Sequence, residues 1–180
     1  MPIVSLAHGI SLECTLEYEY LTRTPTLEHR YSQDEMRKEI EMSRKIGSFG
    51  VRVPETLSEV FELKVDGTKT FGFLVERVFT SMTEPYKPQA HKSTWQGMGA
   101  CLRNLNREQQ NRALRSLNVI SVFNKFNHYL HDMQLLVQNQ SQDDSRNGIV
   151  YLIDPGALAP KKRVNLVFRV TRFLKKQLAM

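Results

Sequence analysis

The chain holds two cysteines in 180 residues, Cys14 and Cys101, far apart and without metal-ligand spacing. That excludes a disulfide framework and a zinc site, and it points to a reducing compartment. No apolar run approaches the length of a membrane helix, and the opening MPIVSLAHG lacks the basic n-region of a signal peptide. A soluble chain without a secretory leader or a transmembrane segment is therefore expected. No internal repeat and no low-complexity stretch is visible. Acid is missing from one place: the last twenty residues hold Lys161, Lys162, Arg163, Arg169, Arg172, Lys175 and Lys176 with no Asp or Glu, leaving 18 bases against 19 acids elsewhere. The net charge of +6 thus belongs to the tail and not to the rest of the chain.

The bulk is that of an ordinary globular domain, with 41% apolar and 24% charged residues and enough length for one sizeable core. Ile3 to Leu6 is a short apolar run before His8-Gly9. Ile10 to Tyr20 alternates, with Leu12, Cys14, Leu16, Tyr18 and Tyr20 on one face, as a half-buried antiparallel strand does. Ser32-Gln33-Asp34-Glu35 has the form of a capping box and opens a helix running to about Ile46, with Met36 and Ile40 on one face and Glu39 and Glu41 in its body. Val60 to Val65 and Phe71 to Val78 read as strands around an Asp66-Gly67 turn. The second is apolar enough to be central and buried on both faces. Thr80 to Ser93 reads as a connector, Trp95 to Leu105 as a short helix, and Glu108 to Leu130 as a long one. Leu114, Leu117, Ile120, Phe123 (or Val122), Phe126 and Leu130 form the stripe of that long helix.

The long helix delivers the chain to YLHDMQLLVQNQSQDDSRNGIVYLIDPGAL, residues 129–158. Here Asp132 follows His131, Leu135-Leu136-Val137 forms a short strand, and Ile149 to Ile153 forms another that ends in Asp154-Pro155-Gly156. Singly, a His-Asp helix exit and an Asp-Pro-Gly turn are ordinary punctuation. In this order, between these elements, the two aspartates resemble the phosphoryl-transfer pair of a kinase fold, in which one accepts the proton of the attacking hydroxyl and the other holds a divalent cation on the nucleotide phosphates. Asp143-Asp144 lies in the polar loop between the strands and reads as solvated. After Pro160, Val164 to Leu178 is a basic amphipathic segment that can meet phosphates or an acidic membrane surface. Packing of its apolar side on the domain is the favoured reading, and the lack of interleaved aromatics argues against nucleic acid as a partner.

The element order, with Glu39/Glu41, Gly50-Val51-Arg52-Val53-Pro54, Phe71 to Arg77, His131-Asp132 and Ile153-Asp154-Pro155-Gly156, resembles a protein-kinase or aminoglycoside-phosphotransferase-like fold over about residues 1–160. Because so little chain follows Asp154, it is most similar to the minimal kinases among bacterial type III secreted effectors. The resemblance implies an α+β, two-lobed protein-kinase-like fold. Residues 1–79 would form an N-lobe of antiparallel sheet plus one helix, and residues 80–180 a reduced helical C-lobe. By the same resemblance Asp132 would be the catalytic base, with His131 and Gly156 in the two loops. Asp154 would hold Mg²⁺ (or Mn²⁺), and Glu41, or else Glu39, would be the helix carboxylate that pairs with a basic residue on the preceding strand. Glu76 would stand at the nucleotide hinge. It implies an ATP-dependent Ser/Thr or Tyr protein kinase, a monomer delivered by a bacterium into a host cytoplasm and acting on a host protein. Three departures set it apart. No lysine precedes Lys38, so Arg23 stands in for the strand lysine that binds phosphates, with a planar guanidinium in place of a compact ammonium. No repeated-glycine loop is present. The second metal ligand, an Asn in the family, is Val137, leaving Gln134, or Asn139 by a longer reach, to supply a neutral oxygen. With three such gaps, a pseudokinase-like binding module is the alternative.

Overall fold

Ser32 and Glu35 start the first helix by capping each other. The Ser32 N–H and hydroxyl both donate to Glu35 Oε2, at 2.7 and 2.9 Å, and the Glu35 N–H returns to Ser32 Oγ at 3.3 Å. The computed structural model describes residues 3–6, 10–13, 20–23, 32–65, 67–87, 92–126, 129–130, 133–154 and 158–159. In chain order these form β1 (Ile3–Leu6), β2 (Ile10–Glu13), β3 (Tyr20–Arg23), α1 (Gln33–Ser48), β4 (Phe61–Val65), β5 (Thr68–Glu76), α2 (Lys92–Arg103), α3 (Arg107–Phe126), β6 (Tyr129–Leu130), β7 (Gln134–Val137), β8 (Val150–Asp154) and β9 (Leu158–Ala159). The described residues make an α+β chain with small antiparallel sheets and three helices. None of these helices is long and apolar enough to cross a membrane.

The chain divides into two compact units: Met1–Lys45 with Pro54–Arg77, and Ile46–Val53 with Val78–Met180. The expected boundary after residue 79 thus differs chiefly at Ile46–Val53, which clusters with the second unit. In the first unit, β3, β5 and β4 form an antiparallel sheet in that order, and β1 and β2 form a hairpin. Gly67, at φ 78°, makes the turn from β4 to β5. Met36 and Ile40, four apart on α1, are buried with Phe73 of β5, and Val60, Phe71 and Val75 pack around them. β5 is central, as its composition implies, but only Gly72 and Phe73 are fully buried, because its first half is one arm of an open hairpin. The segment at Glu55–Ser58 extends the sheet on the β4 side of β5, through Leu57 N–H to Leu74 O and Glu76 N–H to Glu55 O, both 2.8 Å.

In the second unit the stripe of α3 is Ala113, Leu117, Ile120 and Phe123. The choice between Phe123 and Val122 falls to Phe123, 3% exposed against 56%. The helix ends at Phe126, and Tyr129–Leu130 are not its last turn but β6, paired with β9. A two-residue strand embedded in a helical stripe has no period of its own to announce it. Every residue of β7 is buried, because β7 lies between β8 and the connector: Tyr86 and Leu135 exchange backbone bonds of 2.8 and 2.9 Å, so the connector is part of the sheet here. On the other side of β8, Leu152 N–H donates to Arg52 O at 2.8 Å.

Gln138 follows β7 with 0% exposure. Its backbone is paired, accepting from Gly148 and donating to Ile149 O, but neither atom of its side-chain amide has a hydrogen-bond partner among the described residues. A buried amide without partners costs on the order of 1–3 kcal/mol. Gln138→Met keeps the chain length and removes the amide, so it should raise unfolding free energy in urea by about 1 kcal/mol. A fall of that size would show that the amide is satisfied by ordered solvent.

Candidate functional site

Two ladders carry the aspartate-bearing stretch. β6 pairs with β9, Tyr129 opposite Ala159 and Leu130 opposite Leu158, and β7 pairs with β8. Residues 131–133 and 155–157 therefore each connect the first ladder to the second. Asp132 belongs to the first connection, and Asp154 is the last residue before the second. His131, Asp132 and Gly156 lie outside the described residues, as does the basic segment after Pro160, and Asp154 is described in its backbone alone. That backbone stands opposite Gln134, two positions after Asp132. The next pair is Leu135 with Leu152, so Ile153 is a bulge residue in the ladder, immediately before Asp154. The bulge breaks the alternation of β8 immediately before Asp154. Tyr151, Leu152 and Ile153 are all buried, so the strand end is anchored up to the aspartate.

In the first unit Arg23 of β3 forms an ion pair, Nε to Oε1, with Glu39 of α1, and the two side chains are 13% and 20% exposed. The partner is therefore Glu39, whereas Glu41 is exposed on the same helix. The physical reason lies in the helix period. With Met36 facing the sheet, Glu39 sits about 60° from it and Glu41 about 140°, at roughly 100° per residue. That arithmetic, read against Met36 and Ile40, was the available signal. Breaking a largely buried pair by removing one partner costs about 3–5 kcal/mol, whereas removing both charges costs far less. Arg23→Met and Glu39→Leu should each lower stability by about 3 kcal/mol and the double variant should recover most of the loss, read in a double-mutant cycle of thermal unfolding. Additive losses would mean that the two charges do not depend on each other.

Glu76 ends β5, and its carboxylate accepts the Glu55 N–H at 3.2 Å, tying down the segment that extends the sheet. Asn139 is drawn out of the candidate metal set: its Oδ1 accepts the Ser81 N–H at 2.8 Å and its Nδ2 donates to Ser81 Oγ at 2.7 Å. Gln134 keeps its place opposite Asp154 and is buried. Cys101 is a free, buried thiol, and burial pushes its pKa up against a smaller opposing hydrogen bond to Ser81. An inert thiol in this setting is structural.

The polar loop between β7 and β8 is exposed at Asp143 and Asp144, as expected, and it is also held by hydrogen bonds. Asp143 caps a single 3₁₀ turn, accepting the Ser145 hydroxyl at 2.6 Å and the Ser145 N–H at 2.9 Å. These bonds hold its carboxyl below the usual carboxylate range. The support they give the turn is present above the unfolded-state pKa and is lost as pH falls through the lowered folded value. Asp144 accepts Gln109 Nε2 of α3 at 2.6 Å. Arg112 of α3 reaches two loop carbonyls, Asn147 O at 2.7 Å and Asp144 O at 2.8 Å, and also Glu108 Oε1 at 2.7 Å. Arg112 was missed from sequence because its partners lie 32 and 35 positions away. The i,i+4 spacing from Glu108 indicates only a surface pair.

No protein-family model, no curated protein and no solved structure matches this chain.

Proposed function

We propose that the chain is an ATP-dependent phosphotransferase of reduced protein-kinase-like architecture, acting on a hydroxyl of a protein. The observation that carries this reading is the β7–β8 ladder, in which Asp154, behind a bulge, stands opposite Gln134, a residue two positions along the chain from Asp132. Asp132 takes the proton of the attacking hydroxyl. Asp154 and Gln134 offer hard oxygen donors of the kind Mg²⁺ or Mn²⁺ takes. When bound with the nucleotide, the cation supplies charge neutralisation at the transferring phosphoryl group. The Arg23–Glu39 pair on β3 and α1 supports the same reading, since a strand cation oriented by a helix carboxylate is how kinases hold the nucleotide phosphates. The likeness to type III secreted kinases makes a host-cell protein the acceptor and a bacterium the source.

The test is transfer of radiolabelled phosphate from ATP with Mg²⁺ or Mn²⁺, with wild type beside Asp154→Asn. A second reading, a binding module on the same scaffold, is favoured by Arg23 itself. Its guanidinium is engaged with Glu39 and spreads its charge over a plane, which fits a phosphate clamp less closely than an ammonium does. Folded wild type without transfer would select it.

A further inference from the structure

The β7–β8 hairpin has a weak point. Its two strands are joined by residues 138–149, a polar stretch that contributes no member of the buried aliphatic core. Left to itself, such a loop would let β8 shift its register against β7, and the bulge at Ile153 is the place where a shift would be absorbed. The loop is instead bolted to α3. Arg112 donates through Nε to Asn147 O and through Nη2 to Asp144 O, and that Nη2 lies 3.6 Å from Asp144 Oδ2. Asn147, itself buried, closes the loop on itself: its Oδ1 accepts the Ser141 N–H at 2.9 Å and its Nδ2 donates to Ser141 O at 3.1 Å. Gly148 then runs directly over the Gln109 carbonyl of α3.

The same helix governs the other aspartate. α3 is a rod of about 30 Å, at 1.5 Å per residue. Its C-terminal end at Phe126 feeds β6 and so leads to Asp132. Its first turns hold the loop that leads into β8 and so to Asp154, and its body packs along β8. One helix thus leads into the stretch that carries the two aspartates and also anchors the loop within it. Arg112 ties that helix to two separate carbonyls of the loop. A guanidinium reaches two carbonyls from separate nitrogens fixed in a planar fork, whereas an ammonium must reach both from a single nitrogen at the end of a flexible stem.

We propose that Arg112 is a positioning residue for phosphoryl transfer: by clamping the 138–149 loop to α3 it holds β8, and with it Asp154, in register with β7 and Gln134. This rests on the phosphotransferase reading above. It assigns to a helix residue outside both aspartate connections the role of fixing where the cation is held.

The experiment compares full-length wild type, Arg112→Lys, Arg112→Gln, Asp144→Asn and, as a control on the exposed face of α3, Arg115→Gln. Transfer is measured as a function of Mg²⁺ and of acceptor, with melting temperature and backbone hydrogen exchange read on the same samples. Arg112→Lys and Arg112→Gln should lower kcat and raise the Mg²⁺ needed for half-maximal rate on the order of tenfold, the effect typical of losing a group that orients a metal ligand, with acceptor KM unchanged. Exchange should quicken in Val150–Asp154 and stay as in wild type in β4 and β5. Asp144→Asn, which keeps both carbonyl bonds, should be milder than either Arg112 variant, and Arg115→Gln should match wild type. A merely structural role would lower melting temperature and leave the Mg²⁺ requirement of the folded fraction alone, and that result would overturn the proposal. So would unchanged kinetics in both Arg112 variants beside an active wild type. A folded wild type with no transfer at any Mg²⁺ overturns the phosphotransferase reading itself, and the positioning role with it.

Discussion

Gly148→Ala is expected to destabilise the second unit by about 3–5 kcal/mol, a large share of the stability of a domain this size. Two costs combine. Gly148 sits at φ 90°, where a residue with a Cβ is strained by about 1–2 kcal/mol. The Cβ itself would stand 2.1 Å from the Gln109 carbonyl oxygen, 2.7 Å from its carbon and 2.8 Å from its Cα. Those atoms are backbone inside α3 and cannot swing aside as a side-chain end would, so the loop must lift from the helix. Lifting it forfeits the neighbouring Arg112 bond to Asn147 O and the Gly148 N–H bond to Gln138 O at 2.7 Å. Gly97→Ala is the control. It lies in α2, an added Cβ meets nothing within 4 Å, and the change should stabilise by about 0.5–1 kcal/mol through helix propensity. Urea unfolding of the two variants beside wild type reads both. Gly148→Ala within about 1 kcal/mol of wild type would show that the loop is not locked on α3.

Under the phosphotransferase proposal, Asp154→Asn should reduce phosphate transfer on the order of 10²- to 10³-fold, the cost of removing one preorganised electrostatic group from such a site. The carboxylate and the amide have the same shape, so the β7–β8 ladder should persist and melting temperature should barely move. The loss is of the negative charge that balances a divalent cation, and a neutral oxygen alone is a weak partner for it. Asp132→Asn should cost a similar factor for a different reason: an amide cannot accept the proton of the attacking hydroxyl. The double variant should be little worse than either single one, because the two act on one transition state. Gln134→Ala should fall on the order of tenfold, as a supporting ligand does. Wild-type transfer in both aspartate variants would remove the assignment of the site.

Much of the local structure was legible in the sequence. Ser32 and Glu35 announced the start of α1, and Met36 with Ile40 its buried face. Gly67 marked the β4–β5 turn, and Leu117, Ile120 and Phe123 the stripe of α3. Within the aspartate-bearing stretch, β7, the polar loop and β8 were legible too. Three things were not. β6 is two residues long and takes its conformation wholly from β9, which lies beyond Asp154 in sequence. The bulge at Ile153 exists only because β7 and β8 come into one particular register. That Arg23 meets α1 at all depends on β3 pairing beside β5 under the helix, where α1 presents Glu39.

The division comes from the range of the forces. Caps, turns and amphipathic stripes depend on neighbours within about four positions, through backbone geometry and periodicity, so the start of α1, the body of α3, the β4–β5 turn and the faces these helices bury could be read without the fold. Packing settled the pairing of β3 with β5 and of β6 with β9, the meeting of Arg23 with α1, and the commitment of the Arg112 guanidinium to carbonyls 32 and 35 positions away. Those are contacts between groups whose chemistry is common and whose distance along the chain carries no pattern, so only the packing of the cores brings them together.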